Sequence, residues 1–378
     1  MSNLLNKRFL RLCLILLCSF SSINALAATY QFTGPTTPGT WFDISATGAV
    51  LPALGDDATS AAINIGFTFN YGGTNYTQLR VGSNGWLFLG AASTASTAFT
   101  NTTVTSNPVT NVMMPFWDDL FPPGGGSIRY QTLGAAPYRQ FVVSYLAIQH
   151  YSNGVTGTGS YTFQLVLYEN GRFQYNYQST TDQGASATIG YDVSAADLVQ
   201  FSFNTASAPN NSSITWYIQP SLVNLKTVAV VSDPVNNVTN PKNIPGAVDQ
   251  YTINVSNTSA GVVDSDTTVI TDPIPANTEM FTGGLTATAP FTFTDGAPVS
   301  GLTCTFVSLA SLTDCIDFSN NGGATWTYVP ISSSDFDPAV TNIRFKPAGF
   351  LNGDTPPAAA PYPNFSLNFK VRIKKIKV

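Results

Sequence analysis

The sequence predicts an all-β protein of two β-sandwich-type domains, the second immunoglobulin-like, and three observations carry that prediction. Helix formers are scarce: Glu169 and Glu279 are the only glutamates, and no long stretch places apolar residues at helical spacing. Short alternating or continuous apolar runs are punctuated throughout by Gly, Pro and Asn-Gly turns. Charged residues make up 10% of the chain, against about 25% in a typical soluble protein, while Thr, Ser, Asn and aromatics are abundant.

Taken in order, residues 1–28 read as a signal peptide. Lys7, Arg8 and Arg11 precede an apolar run over 12–20, and Ala25, Leu26 and Ala27 resemble a cleavage site. That run is about half the roughly 20 residues a membrane span needs, and no comparable run follows, so an exported protein without a membrane span is expected. Removing the signal takes three positive charges and no negative ones, so the formal charge moves from −5 to −8 and argues against nucleic acid as a partner. The remaining length predicts two domains, at 29–219 and 225–378.

The first domain is organised around residues 112–120, where Val112, Met113, Met114, Pro115, Phe116 and Trp117 end abruptly in Asp118 and Asp119. A turn at Ser83, Asn84 and Gly85 feeds a second apolar run, Trp86 to Leu89, and the two runs read as neighbouring core strands. Residues 63–71 alternate as a half-buried strand does, and Gly72 and Gly73 turn them into 76–81. Residues 161–168 and 172–177 form a hairpin across Asn170 and Gly171, a pair suited to a type I′ turn. Its inward face carries Phe163, Leu165 and Leu167 or the opposite parity, because a one-residue slip exchanges faces. Residues 141–146 and 187–191 add strands, and 214–218 closes the domain.

After a linker at 220–224, aromatics thin out and Val, Thr, Asp and Pro increase. Strands are expected at 226–231, 249–255 and 266–271, with the spacing of an immunoglobulin-like sandwich. Residues 365–374 alternate throughout, with Phe365, Leu367, Phe369, Val371 and Ile373 on one face and Lys370, Arg372 and Lys374 on the other. The basic face reads as an edge strand protected by charge, and secondarily as a contact for an anionic surface. Cys13 and Cys18 leave with the signal, whereas Cys304 and Cys315, separated by ten residues in an oxidising compartment, predict a disulfide that trims a hairpin.

Two resemblances follow from these residues. Ser83, Asn84, Gly85 and Trp86, then Pro115, Phe116, Trp117 and Asp118, then the segments 128–134 and 139–145, make residues 60–200 similar to the nidogen-type extracellular β domain. The likeness is nearer to bacterial versions fused to secreted and surface proteins; the sequence departs from animal nidogens in lacking cysteine-rich modules, so the resemblance does not carry a matrix role. Asn240 to Ala247, Tyr251 to Asn257 and Thr271 to Pro275 resemble a bacterial surface-protein repeat with an immunoglobulin-like sandwich. Neither resemblance implies a catalytic residue or a cofactor.

The inventory for chemistry is thin. His150 is the only histidine, so a histidine-based metal site has almost no ligands and a Ser-His-Asp triad would have to use it. No Gly-x-Ser-x-Gly elbow or phosphate-binding glycine loop occurs. Asp118 and Asp119 are adjacent, so on a strand they point to opposite faces and cannot by themselves form the facing pair that glycoside hydrolysis needs. One of them facing a cavity with Trp86, Trp117 or Tyr130 would make a ligand-binding surface of acid plus aromatic. Paired aspartates, Asp56 with Asp57, Asp264 with Asp266 and Asp335 with Asp337, could supply calcium with loop oxygens, although none matches a dedicated calcium loop and no metal site is expected. The function expected is therefore a non-enzymatic, exported surface or extracellular protein, acting in adhesion or as a scaffold, with an extracellular protein or glycan as partner. The alternatives are a carbohydrate-binding protein using the aromatic and Asp surface and, more weakly, a glycoside-cleaving enzyme.

Overall fold

The computed structural model describes residues 30–90, 97–152, 157–283, 289–331, 335–354 and 359–375. The signal-peptide segment lies outside the described residues. Strand dominates, and the named strand pairs are all antiparallel.

Two sheets enclose the larger core. Among the described residues one has eight strands, in the order Gln31–Thr36, Ser212–Tyr217, Phe173–Thr180, Thr158–Tyr168, Gln140–His150, Ser127–Leu133 and Ala49–Val50, with Leu120–Phe121 also pairing on Gln140–His150. The other runs Asp197–Phe203, Thr188–Ser194, Val112–Trp117, Leu87–Leu89, Thr74–Val81 and Ile63–Tyr71. The two apolar runs around which the sequence is organised are thus hydrogen-bonded neighbours, with Leu87 opposite Met113 and Phe88 opposite Val112.

Continuous apolarity in Val112–Trp117 has a direct cause: both faces of this strand are covered. Met113 and Phe116 point into the space between the sheets, whereas Val112, Met114 and Trp117 pack outward with Trp86, Phe88 and Val104. A shift in pairing with Thr188–Ser194 between Met114 and Trp117 lets Phe116 turn back inward. The hairpin parity resolves the same way. Phe163, Leu165 and Leu167 lie in the main core, while Val166 packs on the outer face with Ile44 and Val142.

The hairpin turn itself differs from the two-residue form. Gly171 donates to the Tyr168 carbonyl at 2.9 Å, Tyr168 donates to the Arg172 carbonyl at 2.9 Å, and Gly171 takes φ +85°. This is a three-residue loop, a type I-like turn closed by a left-handed glycine, so Asn170 need not adopt a positive φ.

Three tyrosines of the eight-stranded sheet cross the core to bond the other sheet's backbone. Tyr145 donates to the Gly82 carbonyl at 2.7 Å, Tyr175 to that of Gly190 at 2.8 Å and Tyr177 to that of Pro115 at 2.8 Å. Each phenol thereby satisfies itself and a buried carbonyl at once.

Two further sheets surround a second core formed by residues beyond 250. The larger runs Leu222–Ser232, Val248–Asn257, Asn364–Ile373, Thr278–Phe281 and Phe336–Asp337, with Phe291–Asp295 also on Asn364–Ile373; the smaller is Ile270–Pro273, Asn342–Phe345 and Ile316–Ser319. Three expectations need correction here. The first strand begins at Leu222, inside the expected linker, because it pairs along its length with Val248–Asn257. Residues 266–269 are not strand: Asp266 has φ +60° and its Oδ1 accepts from the Gly349 backbone, so the strand starts at Ile270.

The third concerns the basic strand, which is central rather than an edge. Phe365, Leu367, Phe369 and Val371 are buried as the alternation requires, but Val248–Asn257 and Thr278–Phe281 flank the strand. Arg372 is committed to Glu279 at 2.5 Å and to the Phe336 ring, which leaves Lys370 and Lys374 as the exposed cations of that set. The edge is Leu222–Ser232, where Leu222, Val223, Leu225 and Val228 are each at least half exposed. Arg172 bridges the two halves through Asp264 at 2.5 Å, and the Tyr138 and Phe350 rings meet at 5.0 Å.

Cys304 and Cys315 form the expected disulfide. It closes an irregular loop rather than a hairpin, since Cys315 only leads into Ile316–Ser319. Replacing both cysteines by serine is expected to lower stability by about 2–3 kcal/mol, read from the denaturant midpoint of the transition that reports the second core.

Candidate functional site

The chemistry-bearing side chains converge where Val112–Trp117 leaves its sheet. Asp118 and Asp119 follow the last strand residue, and the Ser83, Asn84, Gly85 turn docks against them: Asp118 N donates to the Asn84 carbonyl at 3.2 Å, and Phe116 N to the Gly85 carbonyl at 3.3 Å. Only glycine fits at 85, because it takes φ +75° and a Cβ there would lie 1.9 Å from the Phe116 carbonyl oxygen. Ser83 in turn holds the acidic turn, accepting from Ala58 N at 2.9 Å through Oγ and donating its own N–H to the Ala58 carbonyl at 2.8 Å.

Asp118 is buried and heavily used. Its Oδ1 accepts from Asp119 N at 2.9 Å and from His150 Nε2 at 3.2 Å, and its Oδ2 accepts from Ser186 Oγ at 2.5 Å. Ser186 Oγ also lies 2.6 Å from Asp182 Oδ2. A hydroxyl has one proton to give, so only one of those two contacts is a hydroxyl donation at any moment.

His150 ends the strand Gln140–His150. Its Nδ1 is 2.8 Å from the Tyr151 carbonyl, which can only accept, and its Nε2 faces the Asp118 carboxylate. Both nitrogens therefore carry protons. The hydrogen bond to Asp118 is the main cause that pushes the imidazole up to about 9; burial opposes it, and the Tyr151 carbonyl and the charges of Asp118 and Asp119 add to it. His150 is thus a cation at neutral pH with no lone pair free, unsuited to act as a base, and Ser186 bonds the carboxylate rather than the imidazole.

These groups line an open cleft of about 420 Å³ together with Phe99, Asn101, Asp119 and Asn204. Asn101 Nδ2 spans the Ser186 carbonyl at 2.8 Å and Asn204 Oδ1 at 2.8 Å. Phe99 is 49% exposed and supplies the cleft's aromatic face.

On its other side Asp119 meets Asp56 and Asp57, with one carboxylate oxygen from each of the three lying within 4.8 Å of the others. Partial burial raises Asp119 above the ordinary carboxylate range; the nearby His150 charge opposes this, and Asp57, Asp56 and Asp118 reinforce it. Asp56 is raised by desolvation and then by Asp57.

The structure unites Asp118 and Asp119 but removes the aromatic partners read from the sequence. Trp86 and Trp117 are fully buried, stacked at 4.3 Å with 8° between ring planes, and Trp117 Nε1 donates to the Ala98 carbonyl at 3.1 Å. Neither ring can stack on a ligand. Tyr130 sits on Ser127–Leu133 against Phe141, away from the cleft. Lys370, Arg372 and Lys374 lie on the second core's central strand. Sequence reasoning does not single out Ser186, Asn101, Asn204 or Phe99; only Asn101 and Ser186 carry a local signal, their place in the polar stretches 97–107 and 182–186.

A family model described as NIDO related matches residues 29–227, more than half of the chain. No curated protein and no solved structure matches it.

Proposed function

The chain belongs, through residues 29–227, to the NIDO-related family, and on that premise we propose that it is an exported, non-enzymatic protein of the cell surface or extracellular space, acting in adhesion or as a scaffold. The observation that carries this reading is the cleft itself: loops tied together by side-chain hydrogen bonds on a two-sheet body, offering a fixed cation, a carboxylate, amides and one exposed ring. Loops held this way are where such modules bind. Export draws support from the Cys304–Cys315 disulfide, which persists in an oxidising compartment. The two sheets beyond residue 222 fit an immunoglobulin-like module of the bacterial surface-repeat type, which would present the first body to its partner.

Enzymatic readings find little support. His150 has no free lone pair and both Asp118 oxygens are hydrogen-bonded, which argues against either group as the acid or base of a hydrolase at this cleft. A glycan partner is the second reading, favoured by Phe99 beside Asp119, Asn101 and Asn204, the mixture of ring, acid and amide that suits a sugar.

The test is a glycan and extracellular-protein array probed with the purified protein and with a Phe99→Ala, Asn204→Ala variant. Retention of a protein or sugar class by the parent and its loss in the variant is expected. Binding that survives both substitutions would move the contact surface elsewhere, and turnover of an arrayed glycan would overturn the non-enzymatic reading.

A further inference from the structure

Independently of what the cleft binds, we propose that Lys226 and Asp272 condense into an intramolecular amide bond that staples together the two sheets of the second core. Lys226 lies on the edge strand Leu222–Ser232, and Asp272 on Ile270–Pro273 of the smaller sheet. Their side chains meet between the sheets, with Nζ 2.7 Å from Oδ1, although 46 residues separate them in sequence. Asp272 is buried, and its other oxygen has no hydrogen-bond partner. Nζ also lies 4.4 Å from the centre of the Tyr251 ring and 5.7 Å from that of Phe369, two rings stacked on each other at 5.3 Å. The amine is thus held between an acid and an aromatic wall.

An amide suits this setting better than an ion pair. A buried anionic oxygen without a donor is costly, whereas an amide carbonyl carries no charge to desolvate. A proton passing from Nζ to Oδ1 leaves an amine and a carboxylic acid, a neutral pair that water-poor surroundings tolerate better than separated charges. The amine lone pair then attacks the carboxyl carbon, one bond beyond Oδ1. A C–N bond forms, a C–O bond breaks, and the oxygen leaves as water with two of the three ammonium hydrogens, so no oxidant or other reactant is needed. Desolvated lysine amines act as nucleophiles, and the fold replaces a chance encounter with fixed contact. Lys346 is also paired with a buried acid, but it shares Asp317 with the Arg344 guanidinium, which has no proton to give up. The place of the staple matters mechanically. The chain leaves the first sandwich at Tyr217 and within a few residues enters Leu222–Ser232, a strand bound on one side only, by Val248–Asn257. Tension between the two bodies would peel that strand away, and a bond to the opposite sheet resists it.

Intact-mass spectrometry of the purified, folded protein tests this. A mass below that of the sequence by one water, beyond the two hydrogens lost at the Cys304–Cys315 disulfide, is expected. Tryptic digestion should leave Lys226 uncleaved and joined to the peptide that carries Asp272. Lys226→Arg keeps the charge opposite Asp272 but offers no amine to acylate, so it should retain the water, as should Asp272→Ala. A parent chain at the full sequence mass, a result that needs no variant to fold, would sink the proposal. A missing water that persists in Lys226→Arg would place the dehydration at another residue and overturn it equally.

Discussion

Trp216→Ala is expected to destabilise the first sandwich by about 3–5 kcal/mol, the range for truncating a large aromatic in a packed core. Trp216 has no solvent exposure and sits at the centre of an aromatic cluster, stacked on Phe173 at 5.6 Å and edge-on to Tyr191 at 5.3 Å, with Phe32 at 5.1 Å. The cavity cannot collapse easily, because its walls belong to both sheets: Phe173 to one and Tyr191 to the other. The indole nitrogen has no hydrogen-bond partner, so Trp216→Phe removes volume and no bond. It should cost less than half as much. Denaturant unfolding of both variants, followed by circular dichroism, checks the pair; equal losses would mean that the ring is held by something other than packing.

The second large effect is at Asp118. Asp118→Ala deprives His150 Nε2, Ser186 Oγ and Asp119 N of their acceptor in a buried setting, and a loss of about 2–3 kcal/mol is expected near neutral pH. The pH dependence is more diagnostic than the magnitude. The folded imidazole titrates at about 9 against an ordinary value of 6.5. A base whose pKa is raised by folding contributes its full stabilisation below the lower value and loses it as pH rises through the higher one. Stability of the parent should therefore fall between about pH 6.5 and 9, by on the order of 2–3 kcal/mol. That slope should largely disappear in Asp118→Asn, whose amide keeps the shape and discards the charge. Denaturant midpoints at pH 6 and pH 9 decide it, and a parent that is flat across this window would refute the ion pair.

Much of the fold is legible from local pattern, and the failures have identifiable physical origins. The period-two run from Phe365 to Val371 and the position of the hairpin around Asn170 and Gly171 depend on neighbours in sequence, so they can be read directly, although the turn closes over three residues rather than two. Whether Trp86 and Trp117 face a ligand or a second hydrophobic layer depends on whether a segment covers the outer face of their sheet. Val104 and its flanking residues do so, and nothing within the strands announces it. The basic residues of the last strand look like edge protection because charge alternates there, but edge or centre is a property of strand order, which is non-local. The candidate site shows the same division. Asp118 and Asp119 are visible as a sudden polar stop after six apolar residues. Their partners His150, Ser186 and Asp56 come from a strand end and two other connections and become neighbours only once the sheets are assembled.

The tyrosines that cross the core make the protein its own optical reporter. The hydroxyls of Tyr145, Tyr175 and Tyr177 are buried and donating, and burial holds all three well above the ordinary phenol value. A phenolate has no proton to donate, so none of them can ionise while the sheets stay joined. In an alkaline titration followed by phenolate absorbance, the folded chain should register fewer ionised rings than its 16 tyrosines. The missing absorbance should arrive when the sandwich opens, and that step releases these three rings together with other buried phenols such as Tyr71, whose hydroxyl donates to the Val112 carbonyl within its own sheet.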